Sequence, residues 1–104
     1  MGQCEITRQN RQVIVKPGTD LVASMADGFR EELQQVIRES PESVTIDLTG
    51  VEMVDSVGIG VMIAVYNSLA KMEGMLKVIN ANKNLLNLFR TMRLDRHFTV
   101  EGTA

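Results

Sequence analysis

Hydrophobic positions along the chain switch between two periods, and the switches mark its elements. Val44, Ile46 and Leu48 alternate with Thr45, Asp47 and Thr49, the period of a strand with one buried face. From Val57 to Val65 apolar residues are nearly continuous. That run predicts a helix packed deep against a sheet, from about Val57 to Met72, with Gly74 as its C-cap signal. Asp55 and Ser56 fall at the join. Ser56 reads as the N-cap, its oxygen taking an orphan helix amide. Gly58 and Gly60 read as points of close backbone approach. The pattern thus predicts a hydroxyl exposed at the positive end of a buried helix.

The same reading extends to the remaining chain. Gln3 to Arg8 and Gln12 to Lys16 form two strands joined by the polar Gln9-Asn10-Arg11, as in a hairpin. Ser24 is expected to cap a helix with Asp27 in its first turn. Met25, Phe29, Leu33, Val36 and Ile37 share one face of that helix, and Ser40-Pro41 stops it. Leu76 to Ile79 is a short strand. Asn82 caps a last helix carrying Leu85, Leu86, Phe89 and Met92, and Leu94 and Phe98 fold a tail onto the body. Residues Gly102 to Ala104 are expected to fray. The order β-β-α-β-α-β-α predicts an α/β domain with a mixed sheet of about four strands and helices mainly on one face. The 104 residues are expected to form one domain, 1–104.

Composition narrows the function. A net charge of −2 and the lack of tryptophan give no footing for nucleic acid. Arg90, Arg93 and Arg96 cluster late, and a solvated helix end explains them better than a phosphate-binding stripe. Cys4 is the only cysteine, so an intrachain disulfide and a cysteine metal cluster are both excluded. It reads as a half-buried strand residue. The first residues lack a secretory pattern, and the longest apolar run is too short to span a bilayer. A cytoplasmic protein without membrane attachment is expected.

Three catalytic readings fall short. Ser56 after a strand and before a helix suggests a nucleophile elbow, but that motif needs glycine where Val54 stands, and the base would have to be the lone His97. Gly58-x-Gly60 lacks the third glycine of a dinucleotide fingerprint, since position 63 is Ile63. Asp47, Glu52 and Asp55 could meet a cation only weakly, and a solvated acidic rim is the simpler reading. No cofactor, metal or enzymatic activity is expected. What remains is Ser56, which the residues alone favour as an ordinary N-cap serine over a modification site, where a phosphate would lie on helix amides and add about −1.5 to −2 charge beside Asp55.

The stretch Val44 to Val51, followed by Val54-Asp55-Ser56-Val57-Gly58-Ile59-Gly60-Val61, resembles the strand and D-S-x-G-[LI]-G-V signature of STAS domains, the family of anti-sigma factor antagonists. Glu73-Gly74-x-Leu76-x-Val78 and Leu94-Asp95-Arg96-x-Phe98 resemble its next strand and its tail. The resemblance covers nearly the whole chain. It implies that Ser56 is phosphorylated, and that Asp20, Asp55, Ser56, Val57 and Gly58 belong to a partner-binding face. It implies partner switching: the unphosphorylated form binds an ATP-dependent serine kinase/anti-sigma factor of the histidine-kinase-like type, phosphorylation releases it, and a PP2C-type phosphatase restores it. The free protein is expected to be a monomer. Other members govern outputs such as biofilm polysaccharide production, or bind small ligands. The chain departs from the family in three places. Val57 replaces a frequent second serine. Pro17-Gly18-Thr19-Asp20 replaces most of a Gly-Glu-Leu-Asp stretch, leaving Asp20 as its acidic residue. Arg93 stands where the family has glycine, so the last helix either ends without a left-handed cap or strains Arg93.

Overall fold

Alternation of β-branched and polar residues sets the strands, and the computed structural model, which describes residues 4–103, orders them. Strand β1 is Glu5–Gln9 and β2 is Gln12–Lys16. Helix α1, Ala23–Arg38, leads to β3, Ser43–Asp47. Helix α2, Ser56–Lys71, leads to β4, Met75–Ala81. Helix α3, Lys83–Thr91, is followed by a short 3-10 turn, Leu94–Arg96, and by β5, Thr99–Gly102. The five strands lie in the order β1-β2-β3-β4-β5. Only β1 and β2 are antiparallel, with Thr7 opposite Ile14. The other pairs are parallel and joined through helices, as parallel neighbours require.

One face of the sheet carries the core. Val13 and Val15, Val44 and Ile46, and Leu76 and Val78 are buried with Phe29, Leu33, Met62, Leu69 and Phe89 of the helices. The register places Ile14, Thr45 and Lys77 side by side on the opposite, wetter face. Among the described residues no polar or charged side chain is buried, so the fold rests on apolar packing rather than on internal polar pairs. Helix α2 contributes six buried positions, Gly58, Ile59, Val61, Met62, Val65 and Leu69, which accounts for the almost unbroken apolar run in its first half.

Several expectations are corrected. The sheet has a fifth strand: Thr99 pairs with Lys77 and Val100 with Val78, and the Thr103 amide donates to the Ala81 carbonyl at 3.0 Å, so the tail to Thr103 is tied down. Ala104 and the Gln3 start of the first strand lie outside the described residues. Ser24 does not cap α1. The N-cap is Val22, with no side-chain bond of its own, and Asp27 lies beyond the first turn, pairing with Arg30 at 3.2 Å. Helix α2 ends in a Schellman motif whose left-handed residue is Glu73 (φ 60°). Gly74 follows it, its amide donating to the Leu69 carbonyl at 2.7 Å. Arg93 does adopt the left-handed conformation, at φ 60° and ψ 26°. Gly60 has open space where a Cβ would stand, so it is not a close-packing glycine.

Candidate functional site

Two loops leave the carboxyl ends of β2 and β3 and meet at the start of α2. Leu21 and Val54 form an isolated parallel bridge. The Leu21 amide donates to Met53 O at 2.9 Å, and the Asp55 amide donates to Leu21 O at 3.1 Å. Asp20 adds a side-chain tie, its Oδ1 accepting from the amides of Glu52 (2.9 Å) and Met53 (3.1 Å). The segment 20–23 therefore acts as a brace for the acidic turn.

Asp55, not Ser56, is the N-cap of α2. Its Oδ1 accepts from the Val57 amide at 3.0 Å and the Gly58 amide at 3.1 Å. Its Oδ2 accepts from the Ala23 amide at 3.0 Å, at the first turn of α1. One carboxylate thus satisfies orphan donors of two helices, and this is why α1 starts without a capping side chain of its own. The Asp55 carboxyl sits below the usual carboxylate range, chiefly because the Gly58 amide bonds its charged form, with Ala23 and Val57 adding to this and desolvation opposing it. Gly58 explains how closely the two loops approach: a Cβ there would collide with the Leu21 backbone oxygen and lie 2.9 Å from Val54 Cγ1.

Ser56 occupies the first position of α2 and is exposed. Val57 beside it is 38 % exposed, and Met53 is 57 % exposed. Asp20 and Glu52 share a surface depression with Met53, Asn82, Lys83 and Asn84. The sequence reading missed Met53, although an apolar residue inside an acidic turn is a signal of an outward-facing contact. Gly58 is buried and supports this surface from beneath. The amides expected to cradle a phosphate are already taken by Asp55, so a phosphate on Ser56 would compete with that carboxylate for them.

The other candidate chemistry is dispersed. Partial burial opposes the charge of Asp47, but hydrogen bonds from Asn80 and Thr49 bring its carboxyl below the ordinary range. Its Oδ1 takes the Asn80 amide at 3.0 Å and the Thr49 hydroxyl at 2.7 Å, so it is a loop anchor. Among the described residues no group of three or more His, Cys, Asp or Glu is arranged to hold a metal. His97 packs at a tilt against Tyr66, 5.8 Å between ring centroids and 58° between planes. Tyr66 is ten residues beyond Ser56 on α2, about 15 Å along the axis, so His97 is not placed as a base for Ser56. Burial, then the Glu32 carboxylate, push the Cys4 thiol up to about 12, leaving little thiolate at neutral pH. No helix among the described residues is long and apolar enough to cross a membrane.

Similar folds occur in solved structures. A Thermotoga maritima protein superposes with a TM-score of 0.90 at 20 % identity, covering 96 % of this chain and 86 % of that one. An anti-sigma factor antagonist from Mycobacterium paratuberculosis superposes at 0.85 with 22 % identity, over 94 % of this chain and 83 % of its own. The Bacillus cell-fate determinant SpoIIAA, in its phosphorylated form, gives 0.75 at 13 % identity, over 93 % and 89 %. No curated protein matches the chain in sequence. At these identities the structural likeness establishes the fold. The family model of the STAS domain covers residues 3–104, nearly the whole chain, and this protein therefore belongs to the STAS domain family.

Proposed function

We propose that this chain is a phosphorylation-controlled partner switch, with Ser56 as the phosphorylated residue. The observation that carries this reading is the setting of Ser56: an exposed hydroxyl at the first position of α2, next to partly exposed Val57 and Met53, on a turn held by Asp55 and Asp20. A rigid surface of mixed apolar and acidic character suits a protein partner. The unphosphorylated face, formed by Asp20, Asp55, Ser56 and Val57 over Gly58, binds a serine kinase that also acts as an anti-sigma-type regulator. A phosphate adds about −1.5 to −2 charge beside Asp55 and Glu52, and the partner is released by like charge and misfit. A PP2C-type phosphatase reverses the change. The neighbours support this in kind: one is an anti-sigma factor antagonist, and another has been solved phosphorylated.

The test is intact-mass analysis of the protein incubated with its kinase and ATP. One added phosphate, absent in Ser56→Ala and removed by a PP2C-type phosphatase, is the expected result. Phosphate incorporated equally into Ser56→Ala would contradict the assignment.

A further inference from the structure

Helix α3 begins beside the Ser56 surface, where the Asn82 side chain donates to the Val51 carbonyl at 3.3 Å, and it ends away from that surface. Its far end is unusual in charge. Arg90, Arg93 and Arg96 fall within seven residues, and all are exposed. Among the described residues none of the three forms an ion pair or a side-chain hydrogen bond. Met92, 45 % exposed, stands among them. Arg93 also holds a left-handed backbone, a conformation that favours glycine. Ser40 and Glu73 share that feature at the ends of α1 and α2, so the strain alone points to nothing. Three exposed, unpaired arginines within seven residues of the chain, with an exposed methionine among them in sequence, do.

From this cluster we infer that the end of α3 is a second docking surface, for an acidic segment of a partner protein. Arginine and methionine are the residue types enriched where proteins meet. Guanidinium groups pair with carboxylates through two parallel hydrogen bonds that the opposite charges strengthen. A long, uniformly charged polyanion fits less well than a short acidic segment, because Asp95 interrupts the run between Arg93 and Arg96. A lipid surface fits less well too, since the exposed apolar side chains here are few, Met92 and the Met75 that shares a depression with Asp95 and Arg96. The surface is separate from Ser56, so its use does not depend on phosphorylation.

The probe is a synthetic peptide of glutamates interrupted by leucine at every third position, titrated at low ionic strength and followed by amide shifts. Shifts confined to residues 88–98 and weakened by salt are expected. Arg93→Gly should bind about five-fold more weakly while its Tm rises by about 4 °C as the left-handed strain is relieved. Arg90→Gln with Arg96→Gln should lower affinity further. Ser40→Gly should raise the Tm without changing peptide binding. Unchanged affinity in Arg93→Gly and in the double variant would overturn the inference, as would tighter binding to phosphatidylserine vesicles or duplex DNA than to the peptide.

Discussion

Asp55 holds two helices through three amides, those of Val57, Gly58 and Ala23, and this links the candidate site to the stability of the fold. Asp55→Ala should lower the Tm by roughly 5 °C or more, since a lost cap is felt at two helix starts. Asp55→Asn should fall between, because its amide oxygen can still cap α2 but its NH2 group cannot accept from Ala23. The pH dependence follows from the lowered carboxyl. The unfolded chain binds a proton near pH 4 while the folded chain still excludes it. The stabilisation is complete above about pH 4 and is lost as pH falls through the folded value below it, so acid unfolding of Asp55→Asn should be shallower than that of the wild type. Asp47, also lowered, adds slope of the same sign in both proteins. The glycines separate in the same way. Gly58→Ala should destabilise by about 2–3 kcal/mol, because the Leu21 backbone cannot yield cheaply. Gly60→Ala should be neutral or stabilising by up to about 1 kcal/mol. Thermal melts of the two variants, side by side, check both values. The sequence showed two glycines two positions apart. Only the path of the Leu21 segment distinguishes them, and that path is set by residues more than thirty positions away.

The elements themselves were largely legible. Period-two alternation located β3 and the apolar run located α2, because burial of one side of each element was the dominant constraint. Helix starts were less legible. Asp55 and Ser56 are both good caps in sequence, and Ser24 looked like one, but a cap can come from another loop, as Asp55 does for α1. Strand β5 was missed because its four residues, Thr99 to Gly102, include a glutamate and a glycine and bury little on their own. It is pairing with β4 that makes them a strand. At the end of α2, Gly74 is the cap signal the sequence offers and its amide closes the Schellman motif, but the left-handed residue is its predecessor, Glu73. Glu73→Gly should relieve that strain and stabilise by about 0.5–1 kcal/mol after the loss of backbone entropy is counted. Urea unfolding would measure this, and a loss of stability would show that Glu73 contributes more than its backbone angle.

For the whole molecule, a sheet covered by helices on one face carries its site at the strand ends, where two braced loops present Ser56. The brace is built from backbone and from carboxylates that are already bonded, so the surface should not need to refold to change its partners. In the proposed switch, charge at Ser56 alone would change what the surface binds. The resemblance to a family is what singles out Ser56 as the proposed phosphorylation site. The physics of the chain alone favoured an ordinary cap, and the finding that Asp55 does the capping leaves the Ser56 hydroxyl available. The most direct measurement is calorimetric titration of wild type, Ser56→Ala and Ser56→Asp against the cognate kinase, with circular dichroism to compare their folding. All three should fold alike. Ser56→Ala should bind as the wild type does, and Ser56→Asp should bind more weakly by roughly 10- to 100-fold, a loss of about 1.4–2.8 kcal/mol. Equal affinities for the three proteins would contradict the switch.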